Sequence, residues 1–147
     1  AFWPGATRFG APPRRTLYTG TSDAAAVCET LLRDPRPYPG TNEVALPYDH
    51  LAGRGLATLE LRRAVTLVNL CRPAITAVIA DEEHAADVRA LIETRGVYDR
   101  TCDFARALLT QVPAMEMLAW PSQRADGHVA HCFYEGIWTA ADFDVLE

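Results

Sequence analysis

The chain has 147 residues, 49% hydrophobic and 22% charged, which suits a single globular domain over 1–147 with a core of its own. A net charge of −5 argues against the basic stripe of a nucleic-acid or anionic-membrane binder, though one well-placed arginine suffices for a small anionic ligand. Apolar runs such as "AITAVIA" are far too short to cross a bilayer, so a cytoplasmic protein is expected. All 14 basic residues are arginine, which reads first as compositional bias. Cys28, Cys71, Cys102 and Cys132 form no C-x-x-C pair and sit in apolar runs, so buried free thiols in a reducing compartment are expected.

Along the chain, "AFWPGATRFGAPPRR" is rich in Gly and Pro and reads as an irregular entry segment. "TLYTG" (16–20) is a short strand ended by Gly20. "TSDAAAVCETLLRD" is a helix: Ser22 is its N-cap, Asp23 favours its positive end, and Pro35 stops it. Residues 35–55 carry four prolines and three glycines and form a long loop, with a helical turn expected around Tyr48–Ala52. "LATLEL" (56–61) and "VTLVNL" (65–70) are strands, and Arg62-Arg63-Ala64 between them reads as a hairpin connection. "EEHAADVRALIETRG" is an amphipathic helix with Ala86, Val88, Leu91 and Ile92 on its apolar side, ended by Gly96. "YDRTCDFARALLTQ" (98–111) is a second helix, with Thr101, Phe104, Ala105 and Leu108 on one stripe. "MEMLAW" (115–120) and "HVAHCFY" (128–134) are strands flanking a turn that carries Ser122, and "TAADFDVLE" closes the chain as a helical turn. Strands and helices do not alternate, and neither G-x-G-x-x-G nor a P-loop occurs, so a mixed α+β domain is expected rather than a parallel nucleotide-binding sheet.

The chemistry-bearing residues are few. His128 and His131 stand three apart in a strand, hence on opposite faces, and no carboxylate or cysteine has ligand spacing with them or with His50 and His84; no metal is expected. There is no G-x-S-x-G elbow and no readable Ser–His or Cys–His pair. Glu29 is different. On its helix it shares a stripe with Ala25, Cys28 and Leu32, and a carboxylate facing a core is costly unless paired or set in a polar cleft. One reading is an ordinary ion pair with Arg33 at i+4. The other is a carboxylate held against a substrate to stabilise a developing cation. Tyr18 reads as a strand aromatic or a platform for a flat ring. Arg8 reads as a solvated loop residue or a phosphate clamp. A stacking ring, a phosphate-binding arginine and a carboxylate facing a cation together suit cleavage of the nicotinamide–ribose bond of NAD.

The segment "RFGAPPRRTLYTGTSDAAAVCETLLRDP" resembles the signature region of the RES domain family. Arg8-Phe9, Pro12-Pro13, Leu17-Tyr18, Ala24 to Ala26 and Glu29-Thr30-Leu31 all fall in register with it. "LAGRGLATLELRRAVTLVNL", "YDRTCDFARALL" and "MEMLAWPSQRADGHVAHCFYE" resemble later parts of the family, so the likeness runs from about Arg8 to Glu135. The family has a further strand ahead of its R-F pair, where this sequence has only "AFWPGAT", and often a Tyr where this chain has Trp120 followed by Pro121. The resemblance implies a fold like that of the diphtheria-toxin-like ADP-ribosyltransferases. It implies a bacterial toxin that takes NAD as substrate, by hydrolysis or phosphorolysis, and is neutralised by an Xre-like antitoxin protein. Transfer of ADP-ribose to a protein acceptor is the alternative, and a non-catalytic module that binds an antitoxin-type partner is an alternative of another class. On the family's pattern, Arg8 binds the NAD phosphates, Tyr18 stacks on nicotinamide, Glu29 fixes the adjoining ribose and stabilises its cation, and Ser122 hydrogen-bonds in the same pocket.

Overall fold

The computed structural model describes residues 9–31, 48, 52, 54–71, 73–75, 79, 81–93 and 98–146. Its elements, in chain order, are β1 (Thr16–Gly20), α1 (Asp23–Thr30), β2 (Thr58–Leu61), β3 (Leu67–Asn69), α2 (Glu82–Glu93), α3 (Asp99–Gln111), β4 (Met117–Pro121), β5 (Val129–Tyr134), a 3-10 turn (Ala140–Asp142) and β6 (Phe143–Leu146). The class is mixed α+β, as the order of elements implied. Of the expected long loop, the Ala52 amide donates to the Tyr48 carbonyl at 2.8 Å, the bond of one helical turn; most of the rest lies outside the described residues.

One sheet has the order β1-β5-β4-β3, with β1/β5 and β5/β4 antiparallel and β4/β3 parallel. Side chains alternate across a sheet, and paired residues share a face. Tyr18 pairs with Cys132, Trp120 with Ala130, and Leu118 again with Cys132. That face forms the larger core, completed by Ala85 and Ile92 of α2, Ala105 of α3 and Phe9. The opposite face carries Leu17, Met117 and Phe133, and packs on Trp138 and Phe143.

Arg62-Arg63-Ala64 does not turn a hairpin. β2 pairs antiparallel with β6, while β3 joins the four-stranded sheet beside β4. The two arginines carry the chain from one sheet to the other. Arg62 bonds Asp144 on β6, and its own amide donates to the Asp142 carbonyl at 3.1 Å. Arg63 lies 3.9 Å above the Trp138 ring and pairs with Glu116 and Asp142. Arg62 thus has a fixed partner on the second sheet, and Arg63 has fixed partners in the 3-10 turn leading into it and just ahead of β4, which a solvated turn would not supply. The C-terminal helical turn is present at Ala140–Asp142, but it is confined to those residues: after Asp142 the chain extends into β6, which pairs with β2.

The N-terminal half of the sequence reading holds more closely. The Ser22 side chain accepts the Ala25 amide at 3.2 Å and caps α1. The β1–α1 turn is tight. A Cβ on Gly20 would come within 2.6 Å of the Ala26 nitrogen, so only glycine lets the helix approach the strand end. On α2 the buried residues are Ala85 and Ile92, with Val88 against the core, whereas Ala86 faces outward. All four cysteines are free; Cys102 and Cys132 are buried as expected, while Cys28 and Cys71 are only half-buried. Among the described residues no helix is long and apolar enough to cross a membrane.

Candidate active site around Glu29

Glu29 is 4% exposed, on the same side of α1 as the fully buried Ala25 one turn before it. The sequence stripe therefore placed it correctly, and burial raises the question of what supports its carboxylate. The turn leaving β4 supplies two donors. The Ser122 hydroxyl donates to Glu29 Oε1 at 3.0 Å, and the Gln123 backbone N–H donates to the same oxygen at 3.3 Å. Ser122 is itself buried, and its Oγ accepts the Ala125 amide at 3.3 Å, which fixes the hydroxyl as donor toward the carboxylate. Its backbone N–H donates to the His128 carbonyl at 2.9 Å, closing the β4–β5 turn. Donors of this kind stabilise the ionised form of a carboxylate and offset the cost of burying it.

Tyr18 sits on the same sheet face as Trp120, half-buried. The two rings lie 5.6 Å apart and nearly perpendicular, at 73°. Its hydroxyl accepts the Phe9 amide at 2.9 Å. The Phe9 carbonyl in turn accepts the Tyr134 hydroxyl at 3.1 Å, and the Phe9 ring packs 4.8 Å from Trp120. Burial pushes the Tyr134 phenol far above its ordinary range, so it stays a neutral donor. Phe9 is thus held at both its amide and its carbonyl. Arg8, to which it is joined, lies outside the described residues, as does Arg33, the alternative partner for Glu29. The structure therefore brings Glu29 and Ser122 into direct contact and places Tyr18 on the neighbouring strand face.

Two cavities flank this arrangement. One, of about 790 Å³, lies between α2 and the end of β4 and is lined by Leu70, Ile75, Arg89, Glu93, Ser122 and Gln123, among others. The other, of about 720 Å³, runs along the far side of α1, where Ser22, Ala26 and Thr30 face Tyr18, Thr19 and His131. Both volumes suit a small-molecule ligand. Burial lowers His131 below the usual histidine range, so it is neutral at physiological pH, 3.4 Å from the Thr19 hydroxyl.

Three participants escape a reading of the sequence. Gln123 contributes through its backbone, while its side chain donates to the Ile92 carbonyl at 2.7 Å and ties the turn to the last turn of α2. Trp120, fully buried, has an indole N–H with no hydrogen-bond partner among the described residues. Arg89 enters a cavity from a helix that reads simply as amphipathic. Only Trp120 left a trace, as the departure from the family's Tyr.

The model of the RES domain matches residues 2–142, nearly the whole chain. The protein belongs to the RES domain family. That membership ties it in general terms to toxin–antitoxin systems and to enzymes that use NAD. No curated protein and no solved structure matches the chain.

Proposed function

We propose that the protein is a toxin that cleaves the nicotinamide–ribose bond of NAD, with Glu29 as the catalytic carboxylate. The observation that carries this reading is the buried Glu29, held by Ser122 and the Gln123 amide, two residues that line a ligand-sized cavity, in a chain of the RES family. The reaction needs little more. The C–N bond breaks with its electron pair leaving on nicotinamide, which cancels the pyridinium charge. Positive charge then develops on the ribose as an oxocarbenium-like state. A fixed carboxylate beside it is stabilising because it is oriented before the charge appears. Water attacking the ribose carbon gives ADP-ribose and a proton; phosphate attacking it gives the 1″-phosphate of ADP-ribose.

The remaining roles follow from the same reading. Ser122 keeps Glu29 aimed. Tyr18 provides a ring against which nicotinamide packs, braced by Trp120. Arg8, joined to the clamped Phe9, takes a phosphate of NAD. The mixed sheets and buried carboxylate are compatible with a fold like that of the diphtheria-toxin-like ADP-ribosyltransferases, and an Xre-like antitoxin is the inhibitory partner this reading calls for.

The test is product analysis. Purified protein incubated with NAD, with and without inorganic phosphate, is expected to release nicotinamide together with an equal amount of ADP-ribose or its phosphate. No nicotinamide under either condition, from a protein with a cooperative thermal melt, overturns the proposal. A discrete labelled band from labelled NAD and a cell lysate would assign the reaction instead to protein ADP-ribosylation.

A further inference from the structure

Arg89 is set apart from the paired arginines of the fold, and by its burial from the exposed Arg54, Arg100 and Arg124. Arg15, Arg62, Arg63 and Arg106 each engage a carboxylate. Arg89 is half-buried and has neither a hydrogen bond nor an ion pair among the described residues, yet it lines the 790 Å³ cavity whose wall includes Ser122 and Gln123. Its neighbour at i+4, Glu93, lines the same cavity without pairing with it. A basic residue placed ahead of the acidic one is the less favourable order for such a helix pair, since it opposes the helix dipole. Arg89 therefore lines the cavity with its charge unpaired among the described residues.

We infer that Arg89 forms an anion subsite there, which takes the diphosphate of a dinucleotide; this deepens, and rests on, the proposed cleavage of NAD. The geometry connects it to the chemistry through one turn of chain. Gln123 lines the cavity, bonds the Ile92 carbonyl of α2, three residues after Arg89 on the same helix, and donates its backbone N–H to Glu29. An anion seated on Arg89 thus lies on the Ser122–Gln123 side of Glu29, and the apolar Leu70 and Ile75 offer a surface for an attached base. A guanidinium suits this ligand because its planar fork matches two phosphate oxygens at once, while an ammonium acts as a point charge. Arg89 touches substrate in this account but not the reacting carbon, so it governs affinity more than the chemical step.

The experiment measures binding of ADP-ribose and of pyrophosphate by calorimetry, and NAD turnover, for wild type, Arg89→Gln, Arg89→Lys and the surface control Arg106→Gln. Loss of a charge-assisted contact is expected to weaken ADP-ribose binding and raise KM for NAD by roughly ten- to a hundredfold in Arg89→Gln, with kcat changed far less. Arg89→Lys should recover part of the loss, and Arg106→Gln should match wild type. Unchanged ADP-ribose affinity in Arg89→Gln, in a wild type that cleaves NAD, overturns the subsite and leaves the enzyme reading standing. Pyrophosphate binding that depends on Arg89, in a wild type inert toward NAD, supports the anion subsite and removes the enzyme reading. A wild type that binds neither probe removes the subsite, and nicotinamide release alone then decides the enzyme reading.

Discussion

Two corners of the molecule combine carboxylates with large aromatics, and they are built on opposite plans. At Glu116 and Asp142 the carboxylates remain about a quarter accessible and are paired with Arg63, which stacks on Trp138. The Thr66 amide first, and then Arg63, hold Glu116 below the usual carboxylate range. Trp138, Phe133 and Phe143 form a tight triangle there, with ring centroids 5.1 to 5.4 Å apart, and the Trp138 indole donates to the Glu116 carbonyl at 2.8 Å. At Glu29 the carboxylate is buried, and the donors described for it are a hydroxyl and a backbone amide. Exposed ion pairs contribute little to stability, so the first corner chiefly sets the route of the chain between sheets. A buried carboxylate costs far more to maintain. On the proposed reading, the contrast separates a joint from a site.

Breaking the contrast at its strongest point gives the largest effect. Glu29→Gln keeps the shape and removes the charge; nicotinamide release is expected to fall by about 10²–10³, while the melting temperature holds or rises. Ser122→Ala removes one donor to a charged oxygen and leaves the Gln123 amide; turnover is expected to fall by roughly tenfold, consistent with loss of one charged hydrogen bond. The corner at Glu116 and Asp142 should respond in stability instead of turnover. Trp138→Phe loses the indole bond to Glu116 and some packing volume, and is expected to lower stability by about 1–2 kcal/mol in a denaturant titration, with kcat unchanged. Smallest of all is Glu116→Gln. Because the folded protein holds Glu116 below its ordinary value, its contribution is present near neutrality and is lost as pH falls through the folded value. The gap in melting temperature between wild type and Glu116→Gln should therefore narrow on acidification, with NAD turnover matched throughout.

The same two corners show what a sequence carries and what it does not. The β1–α1 unit was legible because its signals are local: a cap at Ser22, a glycine at the turn, a run of alanines and an inward stripe that already included Glu29. The partner of Glu29 was legible only through family resemblance, since Ser122 is 93 residues away and meets it by folding. β2 misled for the related reason that strand pairing is not written in the strand. Two apolar runs separated by Arg62-Arg63-Ala64 look like a hairpin, and only the distant residues of β6, with Asp142 and Asp144, reveal a different partner. Arg89 and Gln123 left no pattern at all, because one owes its interest to the lack of a described partner and the other to its backbone.

The central claim is that Glu29 is a catalytic charge and not a structural one, and the most direct test is the rate of nicotinamide release at saturating NAD for wild type and Glu29→Gln, each with a matched thermal melt. The account predicts a loss of about a hundredfold or more. Rates that agree within a small factor, in two equally folded proteins, would contradict it.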